Sequence, residues 1–119
     1  MKKSKFKIRV VQVFIVIFIV HFIFIMRIEF LTFKYGYQFN GLQNSMISNI
    51  EYLKVLNYND DTATIYYVTQ NKTSGNICEF KKDTSSWMEL NWNTIWSSNG
   101  NASNFIFPYW WDTFLYSLL

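Results

Sequence analysis

The longest apolar run in the chain is Val10–Met26, VVQVFIVIFIVHFIFIM, seventeen residues with no charge, Gly or Pro. At 1.5 Å per residue a helix over it reaches about 25 Å, a little less than the roughly 20 residues that span a bilayer. Phe6 and Ile8 extend the run on its N-terminal side, and Arg9 and Arg27 can snorkel toward head groups from either end. Its many β-branched residues favour a strand in water. In lipid an isolated strand leaves its backbone unpaired, so the expected state is a helix.

After Lys34 the periodicity changes. Leu42, Met46 and Ile50, with Ile47 beside them, have helical spacing, and Asn40 is available as a cap, so a helix is expected from Asn40 to about Glu51. Tyr52–Tyr58 reads as a strand, followed by a turn at Asn59-Asp60-Asp61. Thr62–Gln70, rich in Thr, Ile, Tyr and Val, is the strongest strand signal in the chain. A turn over residues 71–75 precedes Asn76–Lys82, where Cys78 and Phe80 alternate with Glu79 and Lys81. Asp83–Ser86 turns again, and from Trp87 to about Ser97 Met88, Leu90 and Trp92 alternate with Glu89 and Asn91. Ser98–Asn104 is a loop, Phe105–Tyr109 a candidate fifth strand that Pro108 confines to an edge, and the tail from Asp112 a short helix. The expected fold class is α+β: an N-terminal transmembrane helix, then one helix packed on a four- to five-stranded antiparallel meander.

Charge orients this plan. Lys2, Lys3, Lys5, Lys7 and Arg9 precede the apolar run, whereas from Ile28 onward there are five Lys against eight acidic residues. The positive-inside rule therefore predicts a cytoplasmic N-terminus. The expected boundaries are a cytoplasmic tail over 1–9, an anchor over 10–27, a juxtamembrane linker over 28–39 and an extracytoplasmic domain over 40–119. A cleaved signal peptide is the competing reading, but the residues after Met26 offer no pair of small residues for a cleavage site. The pI near 9.0 reflects the N-terminal cluster and predicts no nucleic-acid partner; the expected partners are the lipid bilayer and another membrane or envelope protein.

Much chemistry is missing from the outer region. Its only cysteine is Cys78, and the only histidine, His21, lies in the apolar run, so no Cys-His or Ser-His pair and no usual zinc pattern is available there. Four glycines leave little for a phosphate-binding loop, and no cofactor is expected. Asp60-Asp61 reads as a solvated turn and Cys78 as a buried thiol. Gln12 and His21 are polar residues within the apolar run and stand half a turn out of phase, so they cannot form one seam; His21 alone is a candidate to bond a partner helix. The run holds no Gly, Ala or Ser, which removes the small-xxx-small route to close helix packing.

Aromatics carry the remaining signal. All five Trp lie after Ser86, and ten aromatics fall in the last 33 residues. A small core has limited room for them, so some are expected on a binding face or at the membrane interface. Trp96, Tyr109, Trp110 and Trp111 are the candidate binding residues.

The order helix then meander, with Ala63-Thr64-Ile65-Tyr66-Tyr67-Val68 opposite a strand ending in Trp92, resembles part of a cystatin-like or nuclear-transport-factor-like sheet over roughly residues 40–110. The whole layout, with its Asn-, Ile-, Phe-, Tyr- and Lys-rich composition, resembles small single-pass membrane-anchored proteins of low-GC Gram-positive bacteria. Neither resemblance rests on a motif that assigns a functional residue. The expected function is a non-enzymatic, membrane-tethered binding or accessory module: a modulator, an envelope sensor or an immunity protein. The alternatives are a cell-envelope enzyme working with carboxylates such as Glu79, Asp83 or Glu89, and a cleaved secreted effector.

Overall fold

A computed structural model describes residues 2–42, 49–70, 74–98, 104, 106–109 and 111–112. One helix, α1 (Lys2–Tyr35), is followed by a 3₁₀ turn (Gly36–Phe39) and four strands, β1 (Ile50–Tyr58), β2 (Thr62–Thr69), β3 (Ser74–Asp83) and β4 (Ser86–Ser97). The strands form an antiparallel meander in the order β1-β2-β3-β4, and the class is α+β. From Ser4 to Val20 every side chain of α1 is exposed, and the helix is long and apolar enough to cross a membrane.

Of the stretch expected as a juxtamembrane linker, residues 28–35 continue this helix and 36–39 are the 3₁₀ turn. No Gly or Pro interrupts residues 27–35, and Lys34 in the last turn complements the helix dipole. This end lies along β1, an edge strand. Thr32 Oγ1 donates to the Ile28 carbonyl at 2.7 Å and accepts the Val55 N–H at 2.8 Å, so it occupies a backbone donor on the sheet's open edge. Ile28 and Leu31 insert on opposite faces of the sheet. Of the helix expected over 40–51, residues 43–48 lie outside the described residues; at its ends Asn40-Gly41 is a turn, with Gly41 at φ 87°, and Ile50 already belongs to β1.

The inner strands are regular and the edges are not. Glu51 and Leu56 are extra residues in β1, and Leu90 and Ile95 are extra residues in β4. Bulges of this kind blunt sheet edges against unwanted pairing. They also correct the alternation read for β4. With Leu90 bulged, Trp92 pairs with Cys78 and Met88 with Lys81, positions of opposite facing, and all three apolar side chains stay exposed. Cys78 and Phe80 are buried while Glu79 and Lys81 are exposed, as the β3 pattern predicts. At the β1–β2 turn, Asn59 Oδ1 accepts from the N–H groups of Asp61 and Thr62, which accounts for the exposed acidic pair.

β2 is buried on both sides and carries two cores. Ala63, Ile65 and Tyr67 face a cluster with Val55, Cys78 and Phe80, closed by Phe39 from the 3₁₀ turn. Tyr66 and Val68 face a second cluster with Ile28 and Trp96, closed by Ile106 and Tyr109. Of the fifth strand expected over Phe105–Tyr109, Phe105 lies outside the described residues and 106–109 are not a strand. Pro108 has no N–H for a ladder and is buried, and Ile106 and Tyr109 serve as cover on the second face.

Candidate functional site

The second face holds a buried polar centre. Trp111 and Asp112 are helical, and the Asp112 N–H donates to the Tyr109 carbonyl at 3.1 Å. This aims the Asp112 side chain at the sheet, where Oδ2 accepts from Tyr52 Oη at 2.9 Å and Tyr66 Oη at 2.8 Å. Tyr66 Oη in turn accepts from Trp96 Nε1 at 2.7 Å. Trp96 reaches it by lying over Gly75, its cross-strand partner. A Cβ at position 75 would fall within the indole, so the glycine is required here.

A second centre sits beside the first. Lys54 Nζ and Tyr109 Oη both donate to Glu29 Oε1, at 2.6 and 2.7 Å. Burial works to raise the Glu29 pKa, but the bonds from Lys54 and Tyr109 and the Lys54 charge outweigh it and hold the carboxyl below its usual range. The Lys54 ammonium also lies 5.7 Å from the Tyr52 ring centre and 5.6 Å from that of Tyr109. Burial, reinforced by Asp112 or Glu29, pushes the Tyr52, Tyr66 and Tyr109 phenols upward, so at neutral pH they are protonated donors. The arrangement is suited to holding chain segments together. It offers no nucleophile beside a base.

Of the candidate binding residues, Trp96 and Tyr109 are buried members of this network and Trp111 is half-buried; Trp110 lies outside the described residues. Trp111 and the exposed Phe107 face α1. The His21 ring meets Phe107 edge-on at 5.3 Å and Trp111 at 5.8 Å, and Phe24 meets Phe107 at 5.3 Å. His21 thus packs against the chain's own C-terminal segment. Beside Trp111 runs an apolar groove of about 400 Å³, lined also by Ile17, Phe18, Phe22 and Ile25.

The carboxylates weighed for catalysis are dispersed. Glu79 and Glu89 project to opposite faces, as their partners Asn91 and Phe80 require, and Asp83 stands at the β3–β4 turn. Among the described residues no three His, Cys, Asp or Glu side chains gather as a metal site. Sequence reading missed Glu29, Lys54, Tyr52, Tyr66 and Asp112. Their signal was a charge inside an apolar pattern: Lys54 between Leu53 and Val55, and Asp112 directly after Trp110-Trp111. No protein-family model, curated protein or solved structure matches the chain.

Proposed function

We propose that the chain is a single-pass, membrane-tethered binding or accessory module, with its N-terminus in the cytoplasm and its sheet outside, acting on another membrane or envelope protein. The carrying observation is the continuity of α1: the helix that presents a bare apolar surface up to Val20 runs without a break into the domain, where Ile28 and Thr32 are part of the fold. A domain joined this way is held at one height and one orientation over the bilayer. That suits recognition of a neighbour in the same membrane better than capture of a distant ligand. The seating of Phe107 and Trp111 against His21 and Phe24 supports the same reading, because it sets aromatic side chains beside the C-terminal end of the apolar run, and such residues favour membrane interfaces. A carboxylate enzyme has no comparable support, since Glu79 and Glu89 diverge.

Reporter fusions after Leu119 test the orientation: an extracytoplasmic-active enzyme should work there and a cytoplasm-only fluorophore should stay dark. The binding role is tested by membrane crosslinking of Trp110→Ala and Trp111→Ala variants alongside thermal melts. Loss of a crosslinked partner at unchanged melting temperature is expected for at least one of them. Crosslinking that falls only in step with stability would make both residues structural and remove them from any contact surface.

A further inference from the structure

Two rows of side chains run along opposite sides of α1. One, through Ile28, Thr32 and Tyr35, meets the sheet and the 3₁₀ turn. The other consists of Ile19, Ile23, Met26, Phe30 and Phe33, spaced alternately by four and three residues. A mean spacing of 3.5 keeps an apolar seam facing a second helix, whereas a helix merely bathed in lipid has no need of it. Ile19, Ile23 and Met26 belong to the apolar run, and lipid alone would cover them. Phe30 and Phe33 do not. They lie beyond Arg27 and are 61% and 89% exposed, on the side of the helix away from the domain. Phe33 stands about 10 Å further along the axis than Met26 at 1.5 Å per residue. Whatever covers the row must therefore continue from hydrocarbon into the head-group region and beyond, in the same line and the same period. A second helix does this and an acyl chain does not.

We propose that this row is the seam of a parallel dimer between two copies of the chain. This rests on reading α1 as membrane-spanning with the domain outside, because a common membrane gives both copies the same direction and brings identical layers level. Charge supports the choice of a second copy. Glu29 and Lys34 flank the seam on opposite sides, five residues apart, which is the offset that places Glu29 beside Lys34 of the partner subunit in a parallel pair. Glu29 is already held at that rim by Lys54 and Tyr109. The absence of Gly, Ala and Ser from the apolar run is no obstacle, since a left-handed pair with interlocking large side chains does not need the close approach of a small-xxx-small crossing.

The test uses the full chain in native membranes. Carbonate extraction is applied first, and the chain should remain with the membrane. Single cysteines are then introduced at Ile23→Cys, Phe30→Cys and Phe33→Cys on the seam and at Phe14→Cys on the far side, with wild type as the baseline for the buried Cys78. A membrane-permeable oxidant should give a dimer at the three seam positions and only baseline at Phe14→Cys. In the Ile23→Cys background Phe33→Lys should lower the disulfide-linked dimer fraction at least tenfold while leaving the domain's melting temperature unchanged. Release by carbonate would overturn the membrane reading itself. Retention with equal crosslinking at Phe14→Cys and Phe33→Cys, or with monomers throughout, would leave that reading standing and overturn the seam. Crosslinking of Phe33→Cys to a different protein would also overturn it, by assigning the row to a heteromeric partner.

Discussion

On one face of the sheet, Phe39 closes over Val55, Ile65, Cys78 and Phe80, and the polar contribution at its centre is a phenol: Tyr67 Oη donates to the Phe39 carbonyl at 2.6 Å. On the other face, Ile106 and Tyr109 close over Tyr66, Val68 and Trp96, and the centre is the carboxylate of Asp112 with two phenols upon it. The first cover follows directly on α1 and precedes the strands. The second comes from residues 106–109, after β4, and is shared with the helix through Ile28 and Glu29. The first face is thus a compact core made mainly by apolar burial. The second is a joint between three distant segments, fixed by directed bonds, and it is the face beside which Phe107 and Trp111 pack on His21. Disturbing it should loosen the coupling between the sheet and α1 as well as the fold.

The largest effect is expected at Trp96, which is 1% exposed and links the joint to Gly75. Trp96→Ala should cost about 3–5 kcal/mol, the usual range for deleting a buried indole. Gly75→Ala should cost about 1–3 kcal/mol by overpacking in the wild-type background. It should cost much less in the Trp96→Ala background, because the clash is with that ring; neighbours of this kind are not additive. Chemical denaturation of the four chains measures the cycle. Full additivity would mean that Trp96 and Gly75 do not meet as described.

Next is a contrast between the two centres. Asp112→Leu leaves the Tyr52 and Tyr66 hydroxyls buried without their acceptor, and should cost about 1–3 kcal/mol for the unmade bonds. Asp112→Asn keeps a carbonyl acceptor and should cost less. Tyr67→Phe on the other face removes one neutral bond and should cost about 1 kcal/mol. Limited proteolysis distinguishes the faces further: Asp112→Leu should expose the chain after Ser97 to cleavage, and Tyr67→Phe should not. Equal protection in both variants would show the two faces to be one cooperative unit.

The strands were legible because their chemistry is local. Thr62–Thr69 is β-branched and aromatic throughout, and Asn59 and the Asp83–Ser86 stretch mark turns, so the meander and its order follow from the sequence. Bulges were not legible. Met88, Leu90 and Trp92 keep a perfect alternation, and only pairing with β3 shows that Leu90 is an extra residue. The full length of the helix was not legible for a related reason: Arg27, Glu29 and Lys34 interrupt the apolar run but not the helix, and Glu29 is accommodated by Lys54 twenty-five residues away. Of the aromatic site, the concentration of Trp and Tyr was visible. Which of them are buried depends on Asp112 and Gly75, whose roles arise only from contacts distant in sequence.

The smallest effects are those of pH, and they separate the two faces by sign and number. Tyr52, Tyr66 and Tyr109 on the joint and Tyr67 on the opposite face all have phenols raised above the ordinary value of 10.0, chiefly by burial. A raised folded-state pKa means a contribution present in full below about pH 10 and lost as pH rises beyond it, because only the unfolded chain can release the proton. Glu29 is the opposite case. Its lowered pKa contributes above its ordinary value of 4.5 and is lost as pH falls below it, and the effect is small because 42% of the side chain is exposed. A melting-temperature profile should therefore be flat from about pH 5 to 9, with a steep alkaline limb and a shallow acid one. Tyr66→Phe should flatten the alkaline limb, Tyr67→Phe should flatten it by a similar single-phenol amount, and Glu29→Gln should remove most of the acid limb alone. An alkaline limb unaltered by either phenylalanine variant would mean that these phenols ionise freely in the folded chain, and the buried network around Asp112 could not then be as tight as its hydrogen bonds indicate.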